Sequence, residues 1–308
     1  MRLPDRVTIV EVGPRDGLQN EPATVPTAVK VEFIERLARC GLEVIEATSF
    51  VHPEWVPQLA DAADVMAAIR RLPDVRYPVL VPNERGLDDA LGAGADEIAV
   101  LTAASDAFCK ANLNRTVDGS LKMLAPVIQR ASEAGVRARG YLSTVLGCPY
   151  QGAVPTADVV RVTVALFELG CAEVSLGDTI GVGTPGEVRR LLDTLRRHVA
   201  LDRLAVHMHD TFGQGLANTL AAFDAGVTVA DTSAGGLGGC PYAPGATGNL
   251  ATEDLVYSLE RSGLDTGVDL DALVDTTAWM ASQLRRPPAS RAAQAILAQR
   301  RLAAAQRP

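Results

Sequence analysis

Short runs of apolar residues recur along the whole chain, separated by stretches in which apolar residues return every three or four positions. Most of these runs are rich in Val, Ile, Leu and Ala, which is typical of parallel strands covered on both faces. This pattern predicts eight strands, at residues 7–12, 44–49, 77–82, 97–102, 137–143, 173–179, 204–210 and 229–234.

The stretches between the strands have the periodicity of amphipathic helices. In residues 29–40, for example, Val31, Ile34 and Leu37 fall on one side, and Gly41 follows as a helix stop. The pair Thr184-Pro185 is typical of an N-cap followed by the first helical position. The spacing predicts helices at residues 29–40, 59–72, 84–91, 120–134, 157–169, 185–199 and 215–225.

Strands and helices alternate along the chain, and glycine marks several joints where a helix ends and a strand begins. This order predicts an α/β fold, a (β/α)8 TIM barrel. An open doubly wound sheet is the alternative, but the Gly-x-Gly-x-x-Gly turn usual after its first strand is missing. Two further helical patterns follow, at residues 270–284 and 290–304. We expect a catalytic barrel at residues 1–262 and a C-terminal helical extension at 263–308, packed on the barrel or at a subunit contact.

Composition narrows the class of protein. The chain has 308 residues, of which 47% are hydrophobic, enough for one large core. The formal net charge of -8 and the lack of Lys/Arg runs argue against nucleic-acid binding, and no apolar run is long enough to cross a membrane. Five scattered cysteines make no Cys-x-x-Cys pair, and no signal core opens the chain, so we expect a cytoplasmic protein.

Candidate chemistry gathers where the predicted strands end, which is the functional face of a barrel. His207 and His209 stand two positions apart at the end of the seventh strand, so both side chains point to one face. Alone, such a pair is explained as well by ordinary hydrogen bonding as by a metal. Asp16 after the first strand and Asn249 beyond the eighth add two oxygen ligands. Together the four residues predict a site for Mg²⁺ or Mn²⁺, because no thiolate is among them.

Other polar side chains at the strand ends are candidates for substrate contact. Glu46 is a charge inside an apolar strand and needs a partner, for which an arginine at the barrel mouth would serve in a purely structural role. The glycine-rich segment 235–249 also contains Cys240, and we interpret it as an ordered active-site loop, with an inert buried thiol as the alternative. We expect substrate contacts from Arg15, Gln19, Ser49, Arg139, Tyr141 and Ser175.

Several of these segments resemble the 3-hydroxy-3-methylglutaryl-CoA lyase family of the pyruvate carboxyltransferase-like barrels, and together they span most of the chain. The matching segments are 11–21 (EVGPRDGLQNE), 45–50 (IEATSF), 146–150 (LGCPY), 175–185 (SLGDTIGVGTP), 236–242 (GLGGCPY) and 248–257 (GNLATEDLVY). The segment around Cys240 is the most specific, because the Claisen-condensing relatives typically lack it. The chain departs from the better-known members at Met208, where they often have cysteine, and at residues 243–245.

The resemblance implies a metal-dependent lyase that cleaves 3-hydroxy-3-methylglutaryl-CoA to acetyl-CoA and acetoacetate, with a place in leucine degradation or ketone-body metabolism. It implies that the cation is held by Asp16, His207, His209 and Asn249. It also implies catalytic roles for Arg15, Glu46, Asp178, His207 and Cys240.

The residue types indicate how such a reaction would run. His207 or Asp178 would remove the proton of the substrate's tertiary hydroxyl, and Arg15 would stabilise the enolate oxygen formed when the carbon–carbon bond breaks. Cys240 would return a proton to the enolate carbon, directly or through water, because its pKa is easily tuned near neutrality. His209 is interpreted as a ligand only, whereas His207 is interpreted as both ligand and proton carrier.

An acidic chain that binds a phosphorylated carrier needs a local basic rim. Lys110 and Arg115, in the loop predicted after the fourth strand, are expected to bind the CoA end, with a solvated surface pair as the alternative. We also expect a homo-oligomer, dimeric or larger. Two rival functions stay open. The first is a related acyl-CoA reaction, which would be either cleavage of a substrate with a longer acyl chain or Claisen condensation of acetyl-CoA with a 2-oxo acid. The second is a non-catalytic barrel that acts as a binding or scaffold subunit. The retained ligands and Cys240 argue against the second.

Overall fold

The computed structural model describes residues 3–239 and 248–306, and in this part of the chain nine strands form one parallel sheet. The strands are β1 (Thr8–Glu11), β2 (Val44–Ile45), β3 (Thr48–Ser49), β4 (Val79–Leu80), β5 (Glu97–Ala103), β6 (Arg137–Ser143), β7 (Glu173–Asp178), β8 (Leu204–Met208) and β9 (Val229–Thr232). The predicted strand 44–49 is therefore divided into β2 and β3, with Glu46 and Ala47 between them.

This divided segment closes the sheet. The strand order runs from β2 through β1, β9, β8, β7, β6, β5 and β4 to β3. Between the two halves, the N–H of Glu46 donates to the carbonyl of Glu11 at 2.9 Å, on the β1 side. The N–H of Ala47 donates to the carbonyl of Pro78 at 2.9 Å, on the β4 side. One segment thus pairs with both edges, and the predicted TIM barrel is confirmed.

The described helices alternate with the strands and continue past the last one. They are α1 (Thr27–Arg39), α2 (Ala62–Ala68), α3 (Glu84–Gly92), α4 (Asp106–Leu113), α5 (Val117–Glu133), α6 (Thr156–Glu168), α7 (Pro185–Leu195), α8 (Gly215–Ala225), α9 (Thr252–Arg261), α10 (Leu270–Leu284) and α11 (Arg291–Ala305). None of these helices is long and apolar enough to span a membrane.

Helix α4 lies where a loop was predicted. Ser105 accepts a hydrogen bond from the Phe108 N–H at 3.2 Å and so caps its first turn. Asn114, with a φ of 53°, ends it in the left-handed conformation that asparagine tolerates. The helix has only eight residues, too short for its periodicity to stand out in the sequence.

The C-terminal helices pack on the barrel. Helix α10 contacts α1 and α9, and α11 contacts α9 and α10. The N–H of Asp269 donates to the carbonyl of Cys40 at 2.8 Å, and Ser290 donates from its hydroxyl to Asp254 at 2.8 Å. These contacts tie residues beyond 262 to helices of the barrel wall, while a role in subunit contact stays a prediction.

Candidate active site

Three side chains with metal-ligand atoms converge at the carboxyl ends of the strands: Asp16, His207 and His209. Asp16 lies in a tight turn (Gly13–Gly17) after β1, and the two histidines lie at the end of β8. The three ligand atoms lie within 4.8 Å of one another. The histidine Nε2 atoms are 3.2 Å apart, and His207 Nε2 is 4.0 Å from Asp16 Oδ2. Two imidazole nitrogens and a carboxylate at these distances suit a divalent cation.

Asn249 joins this group. Its Nδ2 donates to Asp16 Oδ2 at 2.8 Å and to the carbonyl of Leu237 at 3.1 Å. Its Oδ1 is buried and has no hydrogen-bond partner among the described residues. A buried amide oxygen left unpartnered is costly, and a cation at this position would satisfy it. The close approach requires Gly238, because its φ is +115° and a Cβ there would lie 2.7 Å from Asn249 Nδ2.

Arg15 connects the ligand group to a buried carboxylate. Its Nε donates to Glu46 Oε2 at 2.7 Å, and its Nη1 donates to Asp16 Oδ1 at 2.8 Å. Its guanidinium also lies 5.3 Å from the centre of the Tyr141 ring. Burial alone would lower the pKa of Arg15, but Glu46 and Asp16 raise it. Burial would raise the pKa of Asp16, but Arg15 and the two nearby histidines lower it, so this ligand is an anion.

Unpartnered polar atoms are concentrated in the segment between β2 and β4. Glu46 Oε1, Thr48 Oγ1 and Ser49 Oγ are buried and have no hydrogen-bond partner within the described ranges. Burial raises the pKa of Glu46, and the neighbouring Arg15 offsets part of this effect. Since buried polar groups are usually paired, these atoms indicate a surface that a polar ligand would contact.

The two histidines differ in the partner of the Nδ1 atom. His207 Nδ1 is 3.1 Å from Asp231 Oδ2. Burial alone would lower the pKa of His207, but the hydrogen bond and charge of Asp231 raise it. His209 Nδ1 is buried without a partner in the described part of the chain. Burial, followed by the nearby His207, lowers the pKa of His209 to about 4, so its ring is neutral near pH 7, as metal binding requires.

Asp231 is a site residue that was not predicted from the sequence. This residue is buried in β9, where Arg139 donates to its Oδ1 at 2.5 Å and Ser175 donates to its Oδ2 at 2.7 Å. Burial would raise the pKa of Asp231, but Arg139 and His207 lower it to about 2. The signal was available, because a carboxylate inside the predicted buried strand 229–234 needs a partner, as does the glutamate that was noticed in the second strand.

The residues predicted on β6 and β7 are buried and have protein partners. Arg139 donates from Nε to Glu173 at 2.6 Å and from Nη1 to the Tyr141 hydroxyl at 3.0 Å. Both oxygens of Asp178, at the end of β7, accept backbone N–H groups, from Val182 at 3.2 Å and from Gly183 at 2.8 Å. Burial raises the pKa of Asp178. Asp178 therefore holds the turn that leads into α7, whereas the ligand group lies around His207.

The remaining predicted residues lie at the rim or outside the described ranges. Gln19 is half-buried just after the turn that carries Arg15, whereas Lys110 and Arg115 are exposed. Cys240 is outside the described residues. The described residues on either side of its loop are both held at the mouth: the carbonyl of residue 239 accepts from Asn20 at 3.1 Å, and that of residue 248 accepts from the Asp210 N–H at 3.2 Å.

Two buried carboxylates that were not predicted support the stems of this loop. Glu11 accepts N–H groups from Gly13 at 2.8 Å and Ala234 at 2.9 Å, and the Thr252 hydroxyl at 2.6 Å. Glu253 accepts the N–H of residue 235 at 3.0 Å. Burial raises the pKa of each carboxylate to about 7. Glu11 thus links the turn after β1 to residues on both sides of the cysteine loop.

Comparison with known proteins identifies the family. The sequence model of the family described as HMGL-like matches residues 6–280. The mitochondrial hydroxymethylglutaryl-CoA lyase of Bos taurus is 53% identical over 293 residues, 95% of this chain and 90% of that protein. The crystal structure of hydroxymethylglutaryl-CoA lyase from Pseudomonas aeruginosa has a TM-score of 0.95 at 50% identity, covering 97% of this chain and all, 100%, of that chain.

A more distant structure adds a ligand. The HMG-CoA lyase from Acinetobacter baumannii in complex with coenzyme A and 3-methylmalate is 36% identical, with a TM-score of 0.91 over 94% of this chain and 95% of that chain. The match to the HMGL-like family model extends from β1 into α10, and so includes the whole ligand group and the cysteine loop. The chain therefore belongs to the hydroxymethylglutaryl-CoA lyase family.

Proposed function

We propose that this chain cleaves 3-hydroxy-3-methylglutaryl-CoA to acetyl-CoA and acetoacetate, with a divalent cation as cofactor. The observation that carries the proposal is the convergence of Asp16, His207 and His209, together with the bond from Asn249 Nδ2 to Asp16 and the unpartnered Oδ1 of the same amide. Relatives at 50% to 53% identity carry the name of this lyase, and the A. baumannii relative was solved with coenzyme A. Both findings support an acyl-CoA substrate for this chain.

The four residues would hold Mg²⁺ or Mn²⁺ through two nitrogens and two oxygens, a mixed set that requires no thiolate. When bound, the cation would lower the pKa of the substrate's hydroxyl group and fix the geometry of its oxygens. Arg15 anchors Asp16, and Asn249 donates to the same carboxylate, so this ligand is oriented before any cation binds. We keep the choice between the two cations as a prediction for metal-binding experiments.

The proton acceptor for the hydroxyl group must have a free lone pair. If Nε2 of His207 holds the cation and Nδ1 bonds Asp231, that ring has none left. Both oxygens of Asp178, the other predicted base, already accept a backbone N–H group from the turn into α7, although a carboxylate keeps further lone pairs. Glu46 Oε1 is buried and unpartnered within the described residues, beside the cation of Arg15 that favours its ionised form. We therefore assign deprotonation to Glu46, with Asp178 as the alternative.

Bond cleavage follows from loss of this proton. The electrons of the hydroxyl oxygen form the ketone of acetoacetate, and the broken carbon–carbon bond leaves its electron pair on the thioester as an enolate. Arg15, held as a cation between Glu46 and Asp16, would stabilise the enolate oxygen. Cys240 would supply the proton that converts the enolate to acetyl-CoA, and the substrate-derived proton would later restore the thiol through the base or water.

The CoA end of the substrate would lie at the basic rim near β4 and β5. Arg115 lines an open groove of about 630 Å³ with Arg85 and Lys122, between the first turns of α3 and α5. Helices that follow barrel strands begin at the carboxyl-end face, so this groove lies on the same side as the ligand group. Lys110, in the last turn of α4, is exposed nearby in sequence but does not line the groove. Three cations and one carboxylate, Glu84, line the groove, and this excess of positive charge suits the phosphates of CoA.

Cellular setting and assembly stay predictions. The four described cysteines, Cys40, Cys109, Cys148 and Cys171, are buried and free, which supports a reducing compartment such as the cytoplasm. The bovine relative is named as mitochondrial. We keep the homo-oligomer and the place in leucine degradation as proposals, supported by the resemblance alone.

A direct assay tests the proposed function. Metal-free protein would be supplied with Mg²⁺ or Mn²⁺ and a panel of 3-hydroxy-3-methylacyl-CoAs of increasing chain length, and acetyl-CoA release would be followed. The proposal expects metal-dependent cleavage of the glutaryl substrate at the highest kcat/KM in the panel. Preference for a longer acyl chain would favour the related lyase, and activity that is unaffected by chelation would contradict the proposed cofactor.

A further inference from the structure

Asp231 is held rigidly behind the ligand group. Its Oδ1 accepts a hydrogen bond from Arg139 on β6 at 2.5 Å. Its Oδ2 accepts one from the Ser175 hydroxyl on β7 at 2.7 Å and lies 3.1 Å from Nδ1 of His207 on β8. The carboxylate is buried and thus anchored by three neighbouring strands. It has little freedom to rotate away from His207, and Arg139 supplies the opposite charge that its burial requires.

The contact fixes which ring nitrogen carries hydrogen. An ionised carboxylate only accepts hydrogen bonds, so Nδ1 of His207 must be the N–H that faces Asp231. A neutral imidazole has one N–H, which leaves Nε2 with its lone pair. Nε2 is the atom that faces His209 at 3.2 Å and Asp16 at 4.0 Å. His209 lacks such support, because its Nδ1 has no partner in the described ranges.

We infer that Asp231 is a positioning residue, which holds His207 in the tautomer and ring orientation that present Nε2 to the cation. Arg139 and Ser175, which were both predicted to contact substrate, act through Asp231. A carboxylate or carbonyl behind a metal-bound histidine commonly has this function. The inference rests on the proposed metal site, and it adds a residue for which neither the sequence motifs nor the ligand set had a role.

Asp231→Asn is the informative substitution. The asparagine amide can donate to Nδ1 and so stabilise the tautomer with hydrogen on Nε2, in which Nε2 has no lone pair for a metal. Mn²⁺ binding to the metal-free protein, measured without substrate by the electron paramagnetic resonance signal of free Mn²⁺, is expected to weaken by roughly 10- to 100-fold. Ser175→Ala removes one hydrogen bond to Oδ2 and is expected to weaken binding by a smaller factor, which provides a second variant if Asp231→Asn folds poorly.

Glu173→Gln is the matched control. Glu173 also accepts a hydrogen bond from Arg139, at 2.6 Å, but neither Asp231 nor His207 is among its recorded partners. Glu173→Gln therefore disturbs the same arginine without contacting the histidine, and its Mn²⁺ affinity is expected to stay within about twofold of that of the parent. An equal loss of affinity in Glu173→Gln and Asp231→Asn would overturn the inference, because it would indicate general loosening around Arg139.

Nitrogen-15 NMR of the imidazole rings provides a readout that needs no metal. The chain has four histidines, so a His207→Ala spectrum suffices to assign this ring. At a pH above the pKa of His207, which Asp231 raises, the parent is expected to show hydrogen on Nδ1 only, and Asp231→Asn a shift toward hydrogen on Nε2. An unchanged tautomer, or equal Mn²⁺ affinity in parent and variant, would overturn the inference. A parent protein that binds no Mn²⁺ would instead overturn the proposed metal site.

Discussion

Asn249 donates a hydrogen bond to Asp16 at 2.8 Å, between residues that are 233 positions apart in the chain. Asp16 follows the first strand of the barrel, and Asn249 lies beyond the last one. In a closed barrel these two ends of the sheet are neighbours, because β1 pairs directly with β9. Closure of the barrel and assembly of the oxygen side of the ligand group therefore occur together.

Replacing Asn249 with alanine should weaken metal binding more than it weakens the fold. Asn249→Ala removes the unpartnered Oδ1 and the hydrogen bond that orients Asp16. We expect Mn²⁺ affinity to fall by at least about tenfold, and excess Mn²⁺ to restore part of the activity. Mn²⁺ titration and thermal unfolding of the metal-free protein measure the two effects separately. Unchanged affinity would show that Asn249 does not act as a ligand.

The two Gly-Cys-Pro-Tyr segments of the chain allow a matched test of the cysteine. Cys240→Ala should lower kcat by about 10²- to 10⁴-fold and leave Mn²⁺ affinity unchanged, because it removes the proton donor for the enolate and no ligand. Cys148→Ala, in the corresponding segment after β6, removes a buried thiol that lies 3.0 Å from the Ser105 hydroxyl. It should change kcat only a few-fold. Similar losses in both variants would contradict a specific role for Cys240.

Charge reversal at the basic rim should affect substrate binding through the CoA end only. Arg115→Glu is expected to raise KM for the CoA thioester by roughly tenfold, and Lys110→Glu by less, because only Arg115 lines the groove. The thioester of N-acetylcysteamine lacks the nucleotide, so its KM should not change. Arg261→Glu, in the last turn of α9 on the opposite face of the barrel, serves as the control. An unchanged KM for the CoA thioester in Arg115→Glu would exclude this groove as the CoA site.

Strong periodicity made most elements predictable from the sequence. Helices α8 and α10 begin and end at the predicted residues, and each has one clear end signal: Gly226 ends α8 in the left-handed conformation, and Asp269 caps the start of α10. The division of the second strand was not predictable, since the break at Glu46 depends on its two neighbours in the closed sheet. Periodicity describes one element at a time, whereas this break results from pairing between elements.

The site was predictable to the extent that its residues have unusual chemistry for their position. His207 and His209 could be identified because histidines are rare in this chain and these two end a strand. Asp231 was not predicted, although it is a carboxylate inside a predicted buried strand, as Glu46 is. The importance of Asp231 depends on its pairing with His207 on β8, and the local sequence does not show how these two strands are aligned.

Comparison of Glu11→Gln with the parent should measure how much stability the folded protein loses when a buried carboxylate beneath the active site ionises. In the unfolded chain Glu11 ionises near pH 4.5, whereas burial raises its pKa in the folded protein to about 7. Between these values the folded state keeps a proton that the unfolded state has lost, so the parent loses stability as pH rises, by at most about 1.4 kcal/mol per pH unit. Glutamine cannot ionise and avoids this loss.

The free energy of unfolding of Glu11→Gln, relative to that of the parent, should therefore rise from about pH 4.5 to about pH 7 and stay constant above. Urea unfolding of both proteins at a series of pH values measures this difference, in which contributions from all other titrating groups largely cancel. Because Glu11 accepts hydrogen bonds from Gly13 and Ala234, kcat should follow the same pH range if ionisation loosens the turn that carries Arg15. A difference that does not vary with pH would mean that Glu11 ionises in the folded protein as readily as in the unfolded chain.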